Sequence, residues 1–184
     1  MSRVAEQSVE DALARCAGGD RSAFAEILRE HQSMVYSVAL NFLRSPSVAE
    51  DVAQEVFLEL YRNLDGIRNA AHLRFWLRRV ACHRSIDRIR RAHWDAMLSL
   101  EDVPEPAAAA EAGDPLLQQK LWRLVASLPE KPRMVLVLRY QEDMALREIA
   151  EVMEIPINTV KSSLERALEL LRGKLARSLG GVKV

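Results

Sequence analysis

The chain of 184 residues carries 26 lysines and arginines against 26 acids, so no global charge announces a nucleic-acid partner and any such role must rest on local clusters. Its two cysteines, Cys16 and Cys82, form no C-x-x-C pair, which argues against a redox motif or a cysteine zinc site. No apolar run approaches the roughly 20 residues that span a bilayer, and acids stand in the first sixteen residues, MSRVAEQSVEDALARC, where a signal peptide would be apolar; a cytoplasmic protein without membrane insertion is predicted.

Apolar residues recur at three and four throughout and no sustained alternation appears, so the expected fold class is all-α. Val9, Leu13, Phe24, Ile27 and Leu28 predict short helices broken at Gly18-Gly19, and Met34 to Leu43 predicts another that stops near Pro46. Ser47 with Glu50 three residues on reads as a capping box opening a helix to about Tyr61, broken by Asp65-Gly66. A loop over 66–71 leads into an arginine-rich helix reaching about His93. From Glu101 to Asp114 acids gather around Pro104 and Pro106 without a lysine or arginine. Such a segment cannot build a core and reads as an extended, flexible linker, placed at 95–114. Two small helical domains are expected on either side, 1–94 and 115–184. The second holds four helical segments broken at Leu128-Pro129, Gln141-Glu142-Asp143 and Ile155-Pro156. Its last two, Leu146–Met153 and Ile157–Arg172, share a core of Ile149, Ala150, Met153, Ile155, Val160, Leu164 and Ala167 and resemble a helix-turn-helix.

Charge is polarised by segment. Between 45 and 65 the acids Glu50, Asp51, Glu55, Glu59 and Asp65 face only Arg62, whereas between 68 and 91 eight arginines face only Asp87. On the first helix Val48, Val52, Val56, Phe57 and Leu60 form the inner set. Asp51, Gln54, Glu55 and Leu58 form an outer stripe that suits a basic partner helix. On the second helix Phe75, Cys82, Ile86 and Ile89 form a core stripe. A neighbouring face carries Trp76, Val80, His83, Asp87 and Arg91 beside Arg84 and Arg88, which suits unstacked DNA: stacking contributes about 1–3 kcal/mol per base and the cations add salt-dependent affinity. The same pattern also fits a plain core strip at Trp76 and Val80 with solvated arginines around it. In the helix-turn-helix Asn158, Thr159, Lys161, Ser162, Ser163 and Arg166 are able to meet phosphates or base edges. Its five acids against four cations over 144–172 predict weak binding unless the domain is tethered.

No zinc-protease motif, phosphate-binding glycine loop or nucleophile elbow is present, and His31, His72, His83 and His93 lack metal-ligand spacing. A non-enzymatic protein without metal or cofactor is expected.

Together these residues resemble the sigma-70 family of RNA polymerase sigma factors, in its extracytoplasmic-function group, over about 20–94 and 116–175. AEDVAQEVFLELY (Ala49–Tyr61) is similar to the group's polymerase-docking helix, LRFWLRRVACHRSIDRIRR (Leu73–Arg91) to its promoter-melting helix, and LPEKPRMVLVLRY with LREIAEVMEIPINTVKSSLERALELLR to region four. The resemblance implies that Asp51, Gln54, Glu55 and Leu58 dock on the β′ coiled coil of core polymerase. It assigns −10 DNA to Arg68, Asn69, Arg74, Trp76, His83, Arg84, Asp87, Arg88 and Arg91, and −35 DNA to Arg147, Asn158, Thr159, Lys161, Ser162, Ser163 and Arg166. The linker is then expected to thread toward the RNA exit path, core polymerase is the implied partner through its β′ and β subunits, and an anti-sigma factor is a further implied partner. The chain departs from the group at His83, often asparagine, at Glu154, usually the glycine of the turn, and at Ser163, Glu165 and Leu168, often basic or histidine. A positive φ at Glu154 would cost roughly 1–2 kcal/mol. The rival expectations are a sigma-like decoy that sequesters an anti-sigma factor and a helix-turn-helix repressor that acts without polymerase.

Overall fold

The computed structural model describes residues 3–99, 121 and 123–179, and among them the regular structure is helical throughout. Helix α1 (Arg3–Ala17) ends at the Gly18-Gly19 pair, where Gly19 takes a φ of 90°. Asp20 then caps α2 (Arg21–Leu43): its carboxylate accepts from the Ser22 N–H at 2.9 Å and from the Ser22 hydroxyl at 2.6 Å. Those donors, with Arg15, hold its pKa down at about 2.

Helix α2 buries Ala23, Ile27, His31, Val35, Val38, Ala39 and Phe42, one stripe at three- and four-residue spacing. It is a single helix through Gln32 and Ser33. The break expected before Met34 does not form, because neither residue interrupts that stripe. Arg44 ends it in the left-handed region at φ 62°, donating its N–H to the Leu40 carbonyl at 2.8 Å.

Helix α3 (Pro46–Arg62) starts two residues earlier than the expected Ser47–Glu50 capping box. Pro46 occupies the first helical position, where its fixed φ is favourable and its missing N–H costs nothing, so Ser45 becomes the cap residue and Ser47 lies inside the helix. The buried set is Ala49, Val52, Val56, Phe57 and Leu60; Val48, expected inside, is half-buried. A 3₁₀ turn at Leu64–Gly66 leads to α4 (Ala70–Ser99), which starts two residues earlier and ends six residues later than expected. The first residues of the expected 95–114 linker are therefore helical, and those from 100 onward lie outside the described residues.

Helices α1 to α4 share one core in which Ile27, Leu60, Leu73 and Leu77 are fully buried. Each such side chain stabilises by about 1.5–3 kcal/mol relative to exposure. Helical residues 123–126 precede α5 (Glu130–Tyr140), α6 (Leu146–Met153) and α7 (Ile157–Leu179). Val125, Leu128, Ala167 and Leu171 make a small core under the last helix. The remaining cluster joins the two halves of the chain. Phe42, Cys82 and Ile86 pack with Met134, Leu138, Ile149, Val152 and Met153, with Phe75 and Ile89 at the edge. The stripe Phe75, Cys82, Ile86, Ile89 is thus core, as expected, but its partner is the C-terminal half. The N-terminal core is served instead by Leu73, Leu77 and Ala81.

Candidate functional site

On α3 the expected outer stripe lies outward. Asp51 and Gln54 are exposed, Glu55 is partly so, and Leu58 is 57% exposed, an unusual state for a leucine. Gln54 and Leu58 line a groove of about 940 Å³ between α2 and α3, whose apolar walls include Phe24, Leu28, Phe57 and Tyr61. Phe24 and Tyr61 meet edge to face at 5.2 Å, fixing that wall. Apolar spacing along α2 had not marked Phe24 and Leu28 as groove residues. Only the crossing of α2 over α3 makes them so.

Helix α4 begins at a side-chain cap. Asn69 Oδ1 accepts from the His72 N–H at 2.8 Å, and the His72 ring accepts from the Arg68 N–H at 3.2 Å. Asn69, expected at −10 DNA, therefore positions the helix start, while Arg68 remains exposed. Trp76 and Val80 are half-buried against the N-terminal core, so the core alternative holds for part of the aromatic strip. Arg84 donates to Glu59 Oε2 from Nε at 3.1 Å and from Nη2 at 2.5 Å, and the carboxylate raises the guanidinium pKa. Arg88 donates to Glu55 at 2.9 Å and lies 3.9 Å from Asp51. The acids of α3 and the cations of α4, read as two separate surfaces in sequence, thus meet along the seam of the two helices. Arg74 is half-buried, and Asp87 and Arg91 are exposed.

His83 points elsewhere: its Nε2 lies 3.2 Å from the Val152 carbonyl and 3.7 Å from Glu154 of the C-terminal half. Arg78 and Arg79, absent from the expected DNA set, face the same way, toward Glu142 and Glu154.

The helix-turn-helix forms as expected. Glu148 accepts from the Ala145 N–H at 2.7 Å and closes the start of α6. Glu154 ends it at φ 53°, ψ 43°, with its N–H directed at the Ala150 and Glu151 carbonyls; the strained turn foreseen at this position is present. Ile149, Met153 and Val160 are buried between α6 and α7. Asn158, Lys161, Ser162 and Arg166 are exposed along α7, Thr159 is half-exposed and Arg147 is exposed on α6. Ser163 is only 8% exposed. It sits toward the buried side beside Val160 and Ala167, one helical turn from each, and does not belong to the outer face to which it was assigned.

With this geometry in place, comparison with known proteins is decisive. The model of sigma-70 region 2 matches residues 27–95, and that of sigma-70 region 4 matches residues 118–171. The chain belongs to the sigma-70 family. Its relatives place it in the extracytoplasmic-function group: it is 32% identical to the ECF RNA polymerase sigma factor SigW of Bacillus subtilis (strain 168), over 92% of this chain and 98% of that protein. It is 29% identical to the ECF RNA polymerase sigma-E factor of Escherichia coli (strain K12), over 94% and 97%. The fold is shared with solved structures. These include CnrH in complex with the cytosolic domain of CnrY (TM-score 0.66, 22% identity, 92% of this chain and 98% of that one). The sigma factor RpoE in complex with the anti-sigma factor NepR from Bartonella quintana gives a TM-score of 0.71 at 20% identity, over 83% and 96%.

Among the described residues no group of histidines, cysteines and acids could hold a metal ion, and no helix is long and apolar enough to cross a membrane.

Proposed function

We propose that α3 captures core polymerase, that the exposed cations on and before α4 hold the −10 element, and that α7 reads the −35 element, with residues 1–94 and 115–184 as working units and 95–114 as tether. The chain is a sigma factor of the extracytoplasmic-function group: it directs promoter-specific initiation by binding core RNA polymerase and promoter DNA, and an anti-sigma factor is among its partners. It acts by binding rather than catalysis, in the cytoplasm, and needs no cofactor.

The observation that carries the residue assignment is Leu58. An exposed leucine one turn beyond Gln54 and two beyond Asp51, at the lip of an apolar groove, is a surface made for an amphipathic helix with a basic rim, where the buried centre supplies affinity and the acids supply orientation. Glu50 is the acid that lines the groove itself, while Asp51 and Glu55 stand on the flank of α3 toward Arg88. On the DNA side, Arg68 and Arg91 remain the cations best placed for phosphate, with Arg84 shared with Glu59 and Arg88 with Glu55. On the −35 side, Asn158 and Arg166 reach base edges while Lys161 and Ser162 hold phosphate.

Leu58→Ala with Asp51→Arg tests the docking assignment without disturbing a buried group. The double variant is expected to keep its helical circular dichroism and to stop co-eluting with purified core polymerase. Normal co-elution would remove α3 from the interface. Run-off transcription from pooled genomic promoter fragments then separates the readings: discrete transcripts establish the promoter elements, tight co-elution without transcripts favours the decoy, and failure of the parent chain to co-elute favours the repressor.

A further inference from the structure

Glu154 and His83, far apart in the sequence, meet in space. Glu154, in the turn of the helix-turn-helix, directs one carboxylate oxygen to Arg79 Nη2 at 2.5 Å and the other to His83 Nε2 at 3.7 Å, and His83 also reaches the Val152 carbonyl at 3.2 Å. On either side Arg78 pairs with Glu142 at 3.1 Å and Arg90 with Glu130 at 3.2 Å. Every cation in this row comes from α4 and every acceptor from the C-terminal half. Beneath it lies the mixed apolar cluster, in which Cys82 is completely buried.

Glu154 occupies the left-handed region, a conformation that a glycine adopts without steric cost and that other residues adopt at some expense. Nothing in the turn itself requires a carboxylate; what the carboxylate meets is α4.

We propose that Glu154 is a latch that closes the C-terminal half over the His83 face of α4, so that the unbound chain withholds this face from DNA. Glu142 and Glu154 sit on Arg78 and Arg79 as acidic stand-ins for phosphate, and the Val152 carbonyl occupies the ring nitrogen of His83. The pairs to Glu154 are half-exposed, with side-chain exposures of 45% and 52% for Arg79 and Glu154. Such pairs hold weakly and are screened by salt, which suits a latch that must release: phosphates or polymerase contacts compete for the same cations. The closure stands on the contacts alone. Its consequence for DNA rests on α4 being the −10 face.

Cys82 reports the state directly, since maleimide reaches it only when the halves part. In a Cys16→Ser background of the full chain, labelling of Cys82 is expected to be far slower than in urea-unfolded protein. Glu154→Gly should speed it about three- to tenfold, as expected for the loss of one or two exposed ion pairs, while leaving the urea midpoint unchanged or raised, because glycine suits the turn. Raising salt should speed the parent and have less effect on the variant. The reversed pair Arg79→Glu with Glu154→Arg should restore slow labelling. Parent labelling as fast as in urea, or an unchanged rate in Glu154→Gly, would overturn the latch. In parallel, Glu154→Gly should bind a random-sequence single-stranded oligonucleotide more tightly than the parent. Faster labelling without tighter binding would leave the closure standing and overturn both the masking and the −10 reading of α4.

Discussion

Arg133 sets up a contest between volume and charge that a pair of substitutions decides. The residue lies on α5, 8% exposed, with Nη1 donating to the Ala126 carbonyl at 2.8 Å and its guanidinium 4.4 Å from the centre of the Phe42 ring at the end of α2. Burial, with Arg44 nearby, pushes its pKa well below the ordinary arginine range, to about 10; at 1.36 kcal/mol for each tenfold change in proton affinity, that is a charge penalty of roughly 3 kcal/mol. Against it stand a charge-assisted hydrogen bond of about 1.5–3 kcal/mol and a desolvated cation–π contact of about 2 kcal/mol. The charge therefore roughly cancels, and what remains is the volume between α5 and Phe42. Arg133→Met, which keeps most of that volume, is expected to change stability by no more than about 2 kcal/mol, whereas Arg133→Ala adds a cavity and should cost about 2–5 kcal/mol more. Urea denaturation followed by circular dichroism measures both. Equal losses in the two variants would refute the cancellation and show that the cation itself holds the contact.

Other expectations follow from the same geometry. Leu77→Ala, in the fully buried row of α4, should cost about 2–5 kcal/mol in urea denaturation; a loss below 1 kcal/mol would mean that the α2–α4 packing is wrong. His31 is 2% exposed, its Nε2 has no hydrogen-bond partner, and burial holds its pKa below the ordinary 6.5. The unfolded chain then binds this proton first as pH falls, so stability is full above about 6.5 and declines below it, toward the lowered folded value. A thermal midpoint that drops below pH 6.5 in the parent and drops less in His31→Leu is the expected pattern, and identical pH profiles would exclude His31 as the cause. Lys161→Ala should lower the slope of log affinity against log salt for −35 duplex by about 1 in the holoenzyme, whereas Arg166→Ala should relax base preference.

Much of the fold was legible because the helices are written in their buried stripes. The breaks at Gly18-Gly19, Asp65-Gly66 and Pro156 and the span Leu146–Met153 all follow from local chemistry, whereas the left-handed turn at Glu154 was signalled only by the resemblance, through the glycine usual at that place. The errors have local causes too. Ser47 with Glu50 satisfies the spacing of a capping box, but Pro46 competes for the helix start and prevails because its φ is already helical. Ser163 has a polar side chain on the expected reading helix, yet its register puts it one turn from Val160 and Ala167, and burial follows register rather than polarity.

What the sequence concealed was pairing across elements. The acids of α3 and the arginines of α4 form two segments of opposite charge, and a linear reading gives each its own external partner. Their helices pack side by side, so Glu59 takes Arg84 and Glu55 takes Arg88 before any partner arrives. A partner helix that draws Asp51 and Glu55 toward its own cations would release Arg88 toward phosphate, because one carboxylate cannot fully serve two guanidinium groups. The same logic governs Arg78 and Arg79 on the opposite side of α4, where Glu142 and Glu154 hold the cations. Polymerase capture on one flank and opening of the C-terminal half on the other would therefore both increase the charge that α4 presents to DNA. That dependence arises from α3 and the C-terminal half packing on two flanks of α4, a relation carried by no single segment of the chain.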